Sequence, residues 1–259
     1  MYMKIAIGFF GITRSLKYTI KSINDNIFDV LKSNSIEYDV YIHSYSLSYY
    51  KNLRTNELID DSTKIDNEEY KLLNPLYFKQ DKQDDIKKKL NFLSYRTHKD
   101  PWNTNYNSVD NYILGSYSKY ILTKMIEKNI NEYDYILFVR PDCLYLDKIN
   151  IKHFELINDK SIVTPINQCY GKHNINDRFA ITNKKTYKIY GEIFIHLLSI
   201  SKNQPLHSET ILGNILIENN KINIHKVDFN FSRIRCDGRI QDTILTQLYP
   251  VYKNCSKLI

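Results

Sequence analysis

The chain has 259 residues, 42% hydrophobic and 25% charged, with a net charge of +7. That length builds one large domain or two small ones around a sizeable core, and the composition excludes a disordered or fibrous protein. No apolar run approaches the roughly 20 residues that cross a bilayer. The apolar start, "MYMKIAIGFFGITRS", lacks the basic stretch and cleavage site of a leader and reads as a strand.

The positive charge and the 22 tyrosines invite a nucleic-acid reading. Against it, the lysines are scattered, and the densest cluster, "DKQDDIKKKL", is half acidic. The excess of Lys, Asn, Ile and Tyr follows AT-rich codon usage, so the surplus charge suits an anionic small substrate and no nucleic-acid partner is expected. Cys143, Cys169, Cys236 and Cys255 show neither CxxC pairing nor metal-ligand spacing. Free thiols in a reducing compartment are expected, which with the missing leader implies a cytoplasmic location.

Residues 3–10 form a buried strand, too continuously apolar to have an exposed face. "GITRS" turns the chain into a helix with Leu16, Ile20, Ile23, Ile27 and Val30 on one face. "YDVYIHSY" (38–45) is the second strand, giving a β-α-β opening with a right-handed crossover. From residue 47 to 108 the pattern dissolves, with Pro75 and Pro101 as breakers and one short helix at 82–95. Such an insertion is expected beside the site, more mobile than the sheet. A helix over 109–130 carries Ile113, Tyr117, Ile121 and Met125 on one face, and a strand follows at 134–139. Strands are expected at 161–166, 177–182 and 222–235, helices at 184–201 and 207–219, and a tail from about 236. The alternation predicts a single α/β domain with a mainly parallel central sheet flanked by helices.

In such a sheet, ligands bind beyond the carboxyl ends of the strands. Three polar clusters fall there: Gly11 to Arg14, His43-Ser44-Tyr45, and Arg140-Pro141-Asp142. Gly11 lets backbone N–H groups approach a ligand, and Arg14 offers a bidentate clamp for phosphate. Neither G-x-G-x-x-G nor G-x-x-x-x-G-K-[ST] is complete, which weighs against a dinucleotide-binding oxidoreductase. The R-P-D cluster is either an ordinary solvated strand end or a site where a carboxylate and a phosphate share a divalent cation. Arg233 and Arg235 alternate along one strand and face either a phosphate or solvent. His207 and His225 read as polar contacts in preference to metal ligands.

"YDYILFVRPDCLY" resembles the strand and D-x-D motif of GT-A glycosyltransferases, with Arg140 at the first acid and Asp142 at the last. "FFGITRSL", "YDVYIHSY", "GSYSKYIL", "NDRFAIT" and "HSETILGNIL", in this order, resemble viral and bacterial polysaccharide glycosyltransferases. The resemblance spans the chain except residues 46–108 and the tail. It implies a GT-A-like (Rossmann-like) fold, a nucleotide-sugar donor and a glycan hydroxyl acceptor. Asp142 would then hold Mn²⁺ or Mg²⁺ against the donor diphosphate, with Arg140 beside it. Gly11, Arg14, Ser44, Tyr45, Tyr117 and Ser118 would line the donor pocket. Glu209 is the expected base for the acceptor hydroxyl and Asp177 a sugar or acceptor contact, in keeping with acid–base transfer. The alternatives are an electrostatic partner of its helix N-terminus for Glu209 and a pairing with Arg178 or a turn cap for Asp177. The missing first acid leaves open a non-catalytic nucleotide- or carbohydrate-binding module of the same fold. On this reading Asp142→Asn abolishes metal dependence and leaves stability nearly unchanged.

Overall fold

The computed structural model describes residues 3–52, 54–59, 66–241, 248–249 and 255–258. Much of the expected tail therefore lies outside the described residues.

β1 (Lys4–Phe10) is apolar from Ile5 onward because both of its faces are covered there. Ile5, Ile7 and Phe9 meet the helical run formed by α1 (Leu16–Ile23), a π-turn at Asn24–Phe28 and α2 (Asp29–Ser33). Ala6 and Gly8 alternate with them toward α4 (Asn107–Glu127). Small residues are needed on that side. A Cβ on Gly8 would stand 2.7 Å from Leu122 Cδ2, so the helix rests almost on the strand backbone.

β1 pairs in parallel with β2 (Glu37–Ser46), which pairs in parallel with β5 (Tyr77–Lys82). On its other side β1 pairs with β6 (Tyr135–Val139). β8 (Ser161–Pro165) and β10 (Asn223–Val227) form another parallel pair. Between the two groups runs β9 (Phe179–Asn183), antiparallel to both β6 and β8. The result is a seven-stranded, mainly parallel sheet in the order β10-β8-β9-β6-β1-β2-β5. The α/β class expected from the sequence is the one observed.

Two small sheets sit outside it: the hairpin of β3 (Tyr50–Asn52) with β4 (Glu57–Ile59), and β7 (Cys143–Tyr145) with β11 (Phe231–Arg233). The remaining helices are α3 (Gln83–Leu90), α5 (Lys152–Glu155), α6 (Tyr187–Gly191), α7 (Phe194–Ser201) and α8 (Ser208–Gly213), the last continued by a π-turn over Asn214–Asn219. No described helix is long and apolar enough to cross a membrane.

Three expectations need correction. Residues 47–108 are not an insertion apart from the sheet, because β5 supplies its edge strand. β5 is mostly exposed and carries Lys79, Asp81 and Lys82, charges that discourage pairing of an open edge. The strand expected at 222–235 is two strands in different sheets, β10 and β11. The helix expected at 184–201 breaks between α6 and α7, where Gly191 packs against α4; a Cβ there would overlap Thr123 Oγ1.

Candidate active site

The register brings chain segments from both strand directions to one edge. Phe9 aligns with Val139, and Val139 with Phe179. The exits of β1 (Gly11 to Arg14) and β6 (Arg140 to Asp142) therefore meet the entrance of antiparallel β9, at Asp177 and Arg178. β11 adds Arg233, and Arg235 follows two residues later. Two adjoining cavities open here, an inner one of about 170 Å³ and an outer one of about 310 Å³. Arg140, Asp177, Arg178, Arg233 and Arg235 line both, so the space is continuous.

The inner cavity is built on guanidinium groups. Asp142 is 2% exposed, not a solvated strand end, and Arg140 grips it with Nε–Oδ1 at 2.9 Å and Nη2–Oδ2 at 2.6 Å. Arg14 Nη2 lies 3.9 Å from the same carboxylate. Burial alone would raise the Asp142 carboxyl, but Arg140 and Arg14 override it and hold it well below the ordinary range. Glu57, fully buried on β4, accepts from Arg14 Nε at 3.1 Å and Arg235 Nη1 at 3.2 Å. Gln241 accepts from Arg235 Nε at 2.7 Å, and the Arg14 guanidinium stands 4.7 Å from the Tyr50 ring centre.

A divalent cation at Asp142, as the resemblance implied, does not fit this donor set. Both carboxylate oxygens are engaged by Arg140, with Arg14 behind them. Hard divalent cations need several oxygen ligands, and among the described residues no group of three His, Cys, Asp or Glu could hold a metal ion. Neighbouring guanidiniums would repel the ion as well.

In the outer cavity, Arg178 stands between the two expected acids, with Nη1 3.0 Å from Asp177 Oδ1 and Nη2 3.4 Å from Glu209 Oε1. The Asp177 contact lacks hydrogen-bond geometry, and Oδ1 has no hydrogen-bond partner among the described residues. Burial raises the Asp177 carboxyl, but Arg178 and Lys119 lower it further, so it stays ionised. Glu209 also accepts from the Ser208 hydroxyl. Asp177 thus has more free acceptor capacity than Glu209. Trp102 stacks on His207 at 5.3 Å and 21°, and both rings line the cavity.

Other expected residues take other work. Gly11 lines the inner cavity, yet its N–H is spent on Ser118 Oγ (2.9 Å) and His43 O (3.3 Å). Glycine is required there by a φ of +104°. Ser118 holds that turn and His43, and does not reach either cavity. Tyr117 packs edge-on against Phe194 (5.2 Å), and Ser44 is buried within β2. Neither touches the cavities. Tyr45 does line the inner one, its hydroxyl donating to Leu114 O at 2.8 Å. His225 lies on β10 beside Asn223, away from the site.

Sequence reasoning missed Glu57, Lys119 and Trp102; the Asp177–Arg178 pair, an alternative the sequence left open, is present. Lys119 had a signal: a lysine one residue past Ser118, inside a buried helix turn. Burial pushes it down to about 8, against the pull of Asp177.

Fold and site together define an α/β protein with a basic, two-chambered cavity at one sheet edge. No protein-family profile matches the chain, and no curated protein matches it. Among solved structures it is similar to a glycosyltransferase involved in the glycosylation of the major capsid of PBCV-1, at 10% identity over 88% of this chain and 82% of that one, TM-score 0.40. It is similar to the galactosyltransferase LgtC in complex with donor and acceptor sugar analogs, at 12% identity over 99% and 84%, TM-score 0.44. A third is the apo-form glycosyltransferase GlyE in Streptococcus pneumoniae TIGR4, at 10% identity over 87% and 46%, TM-score 0.43.

Proposed function

We propose that this protein is a glycosyltransferase moving a sugar from a nucleotide-sugar donor to a hydroxyl of a glycan. The observation that carries this reading is the charge of the site. Seven Lys and Arg side chains line the two cavities against three carboxylates, Asp142, Asp177 and Glu209. A surplus of that sign and size suits a diphosphate ester, and the Arg fork matches phosphate oxygens bidentately.

The inner chamber takes the diphosphate, and the outer one takes the transferred sugar and the acceptor. The Trp102–His207 stack offers an apolar face for a sugar ring. Asp177 removes the proton of the attacking acceptor oxygen as that oxygen bonds to the anomeric carbon. The bond from that carbon to the diphosphate breaks, and the guanidiniums stabilise the departing charge.

A nucleotide-sugar panel, followed for donor hydrolysis and transfer, tests the reading. Asp177→Asn should lower turnover by about a hundredfold or more while leaving nucleotide affinity within a few-fold. Donor binding with no turnover on any acceptor would make the protein a binding module instead.

A further inference from the structure

We propose that the donor diphosphate is bound and neutralised by a buried arginine cluster in place of a divalent cation. The inference rests on the donor reading above and deepens it. Arg14, Arg140 and Arg235 reach the inner cavity from three chain segments: the exit of β1, the exit of β6, and the stretch after β11. Three guanidiniums share two carboxylates, Glu57 and Asp142, so their own partners do not neutralise them.

These cations are fixed before any ligand arrives. Glu57 spans Arg14 and Arg235, Gln241 holds Arg235 from a further side, and Tyr50 stacks near Arg14. Arg140 is held by Asp142 through Nε and Nη2, and its Nη1 has no hydrogen-bond partner among the described residues. A guanidinium carries five N–H donors and cannot lose its charge in the working pH range. Donors already in place need no reorganisation when a leaving group takes up charge, which is the service a metal otherwise performs. Asp142 has the complementary task. It sets the position of Arg140 and does not reach past it to a cation.

The test is calorimetry on the full chain with inorganic pyrophosphate, UDP, GDP, CDP and ADP, each in EDTA and again with millimolar Mn²⁺. We expect pyrophosphate and at least one nucleoside diphosphate to bind in EDTA, with affinity unchanged by Mn²⁺. Arg235→Lys and Arg140→Lys, which keep the charge and lose the fork, should weaken both by about tenfold. Pyrophosphate or nucleotide binding that appears only with Mn²⁺ overturns the arginine cluster and spares the donor reading. Pyrophosphate binding in EDTA with no nucleoside diphosphate bound does the opposite, keeping the cluster and removing the donor. No binding in either buffer removes both.

Discussion

Arg140 and Asp142, two residues apart, lock together through two parallel N–H···O contacts of 2.9 and 2.6 Å. Pro141 between them turns the chain, and its carbonyl accepts from the Thr19 hydroxyl at 2.6 Å. The pair is a structural unit as well as part of a site. Asp142→Asn strands buried guanidiniums without their counter-charge, so it should cost about 2–4 kcal/mol in urea unfolding. This reverses the expectation from sequence, which took the carboxylate as solvated. A loss under about 0.5 kcal/mol, the range of ordinary surface changes, would show that solvent screens the pair.

Glu57 ties the β3–β4 hairpin to the sheet edge. It also accepts from the Thr55 hydroxyl (2.6 Å) and the Cys236 N–H (3.2 Å). Glu57→Gln should destabilise the chain by about 3 kcal/mol, since it leaves two buried cations short of one charge. Hydrogen exchange at Tyr50–Asn52 and Glu57–Ile59 should quicken more than at β6. Equal protection before and after the change would detach the hairpin from the ion pairs.

His43 sets an acid limit. Burial lowers its pKa to about 4 from 6.5, despite Asp81 at 3.1 Å. The folded state therefore binds fewer protons than the unfolded one between those values. Stability is full above pH 6.5 and falls as the pH drops toward 4, by about 2–3 kcal/mol from this residue. In His43→Gln, urea midpoints should lose that part of the slope. An unchanged slope would assign acid sensitivity to other groups.

Lys119 sets an alkaline limit on ligand binding. With its pKa pushed down to about 8, it carries full charge only below that pH. Lys119 lines the outer cavity, where the donor's sugar would lie. Nucleotide-sugar affinity should therefore be level at lower pH and decline above about 8, while Lys119→Arg should flatten the profile. A profile identical in both proteins would place the ligand out of its reach.

The parts legible in the sequence are those where local pattern and burial agree. β1 and β6 are covered on both faces and announce themselves as apolar runs. β5 lies at the edge with a polar, exposed pattern, so nothing local marks it. The division of β10 from β11 hides in a stretch that alternates through the turn. At the site, Arg14, Arg140, Asp142 and Asp177 were readable because a sheet edge gathers strand termini. Glu57 and Trp102 were not, since their partners lie far along the chain. Ser44, Tyr117 and Ser118 stand apart from both cavities because β2 runs on to Ser46 and α4 closes over it, which no periodicity reveals.

The bridge from Glu57 to Arg235 also fixes a time of assembly. Synthesis delivers roughly 5–20 residues per second from the N-terminus. β1, β2, β5 and β6 have thus left the ribosome well before Arg235 does. Until then Arg14 is the one cation Glu57 holds among the described residues, and the inner chamber lacks one wall. A nascent chain halted short of Arg235 should carry much of the sheet yet bind no diphosphate, so competence arrives as a late, abrupt event in the life of the chain.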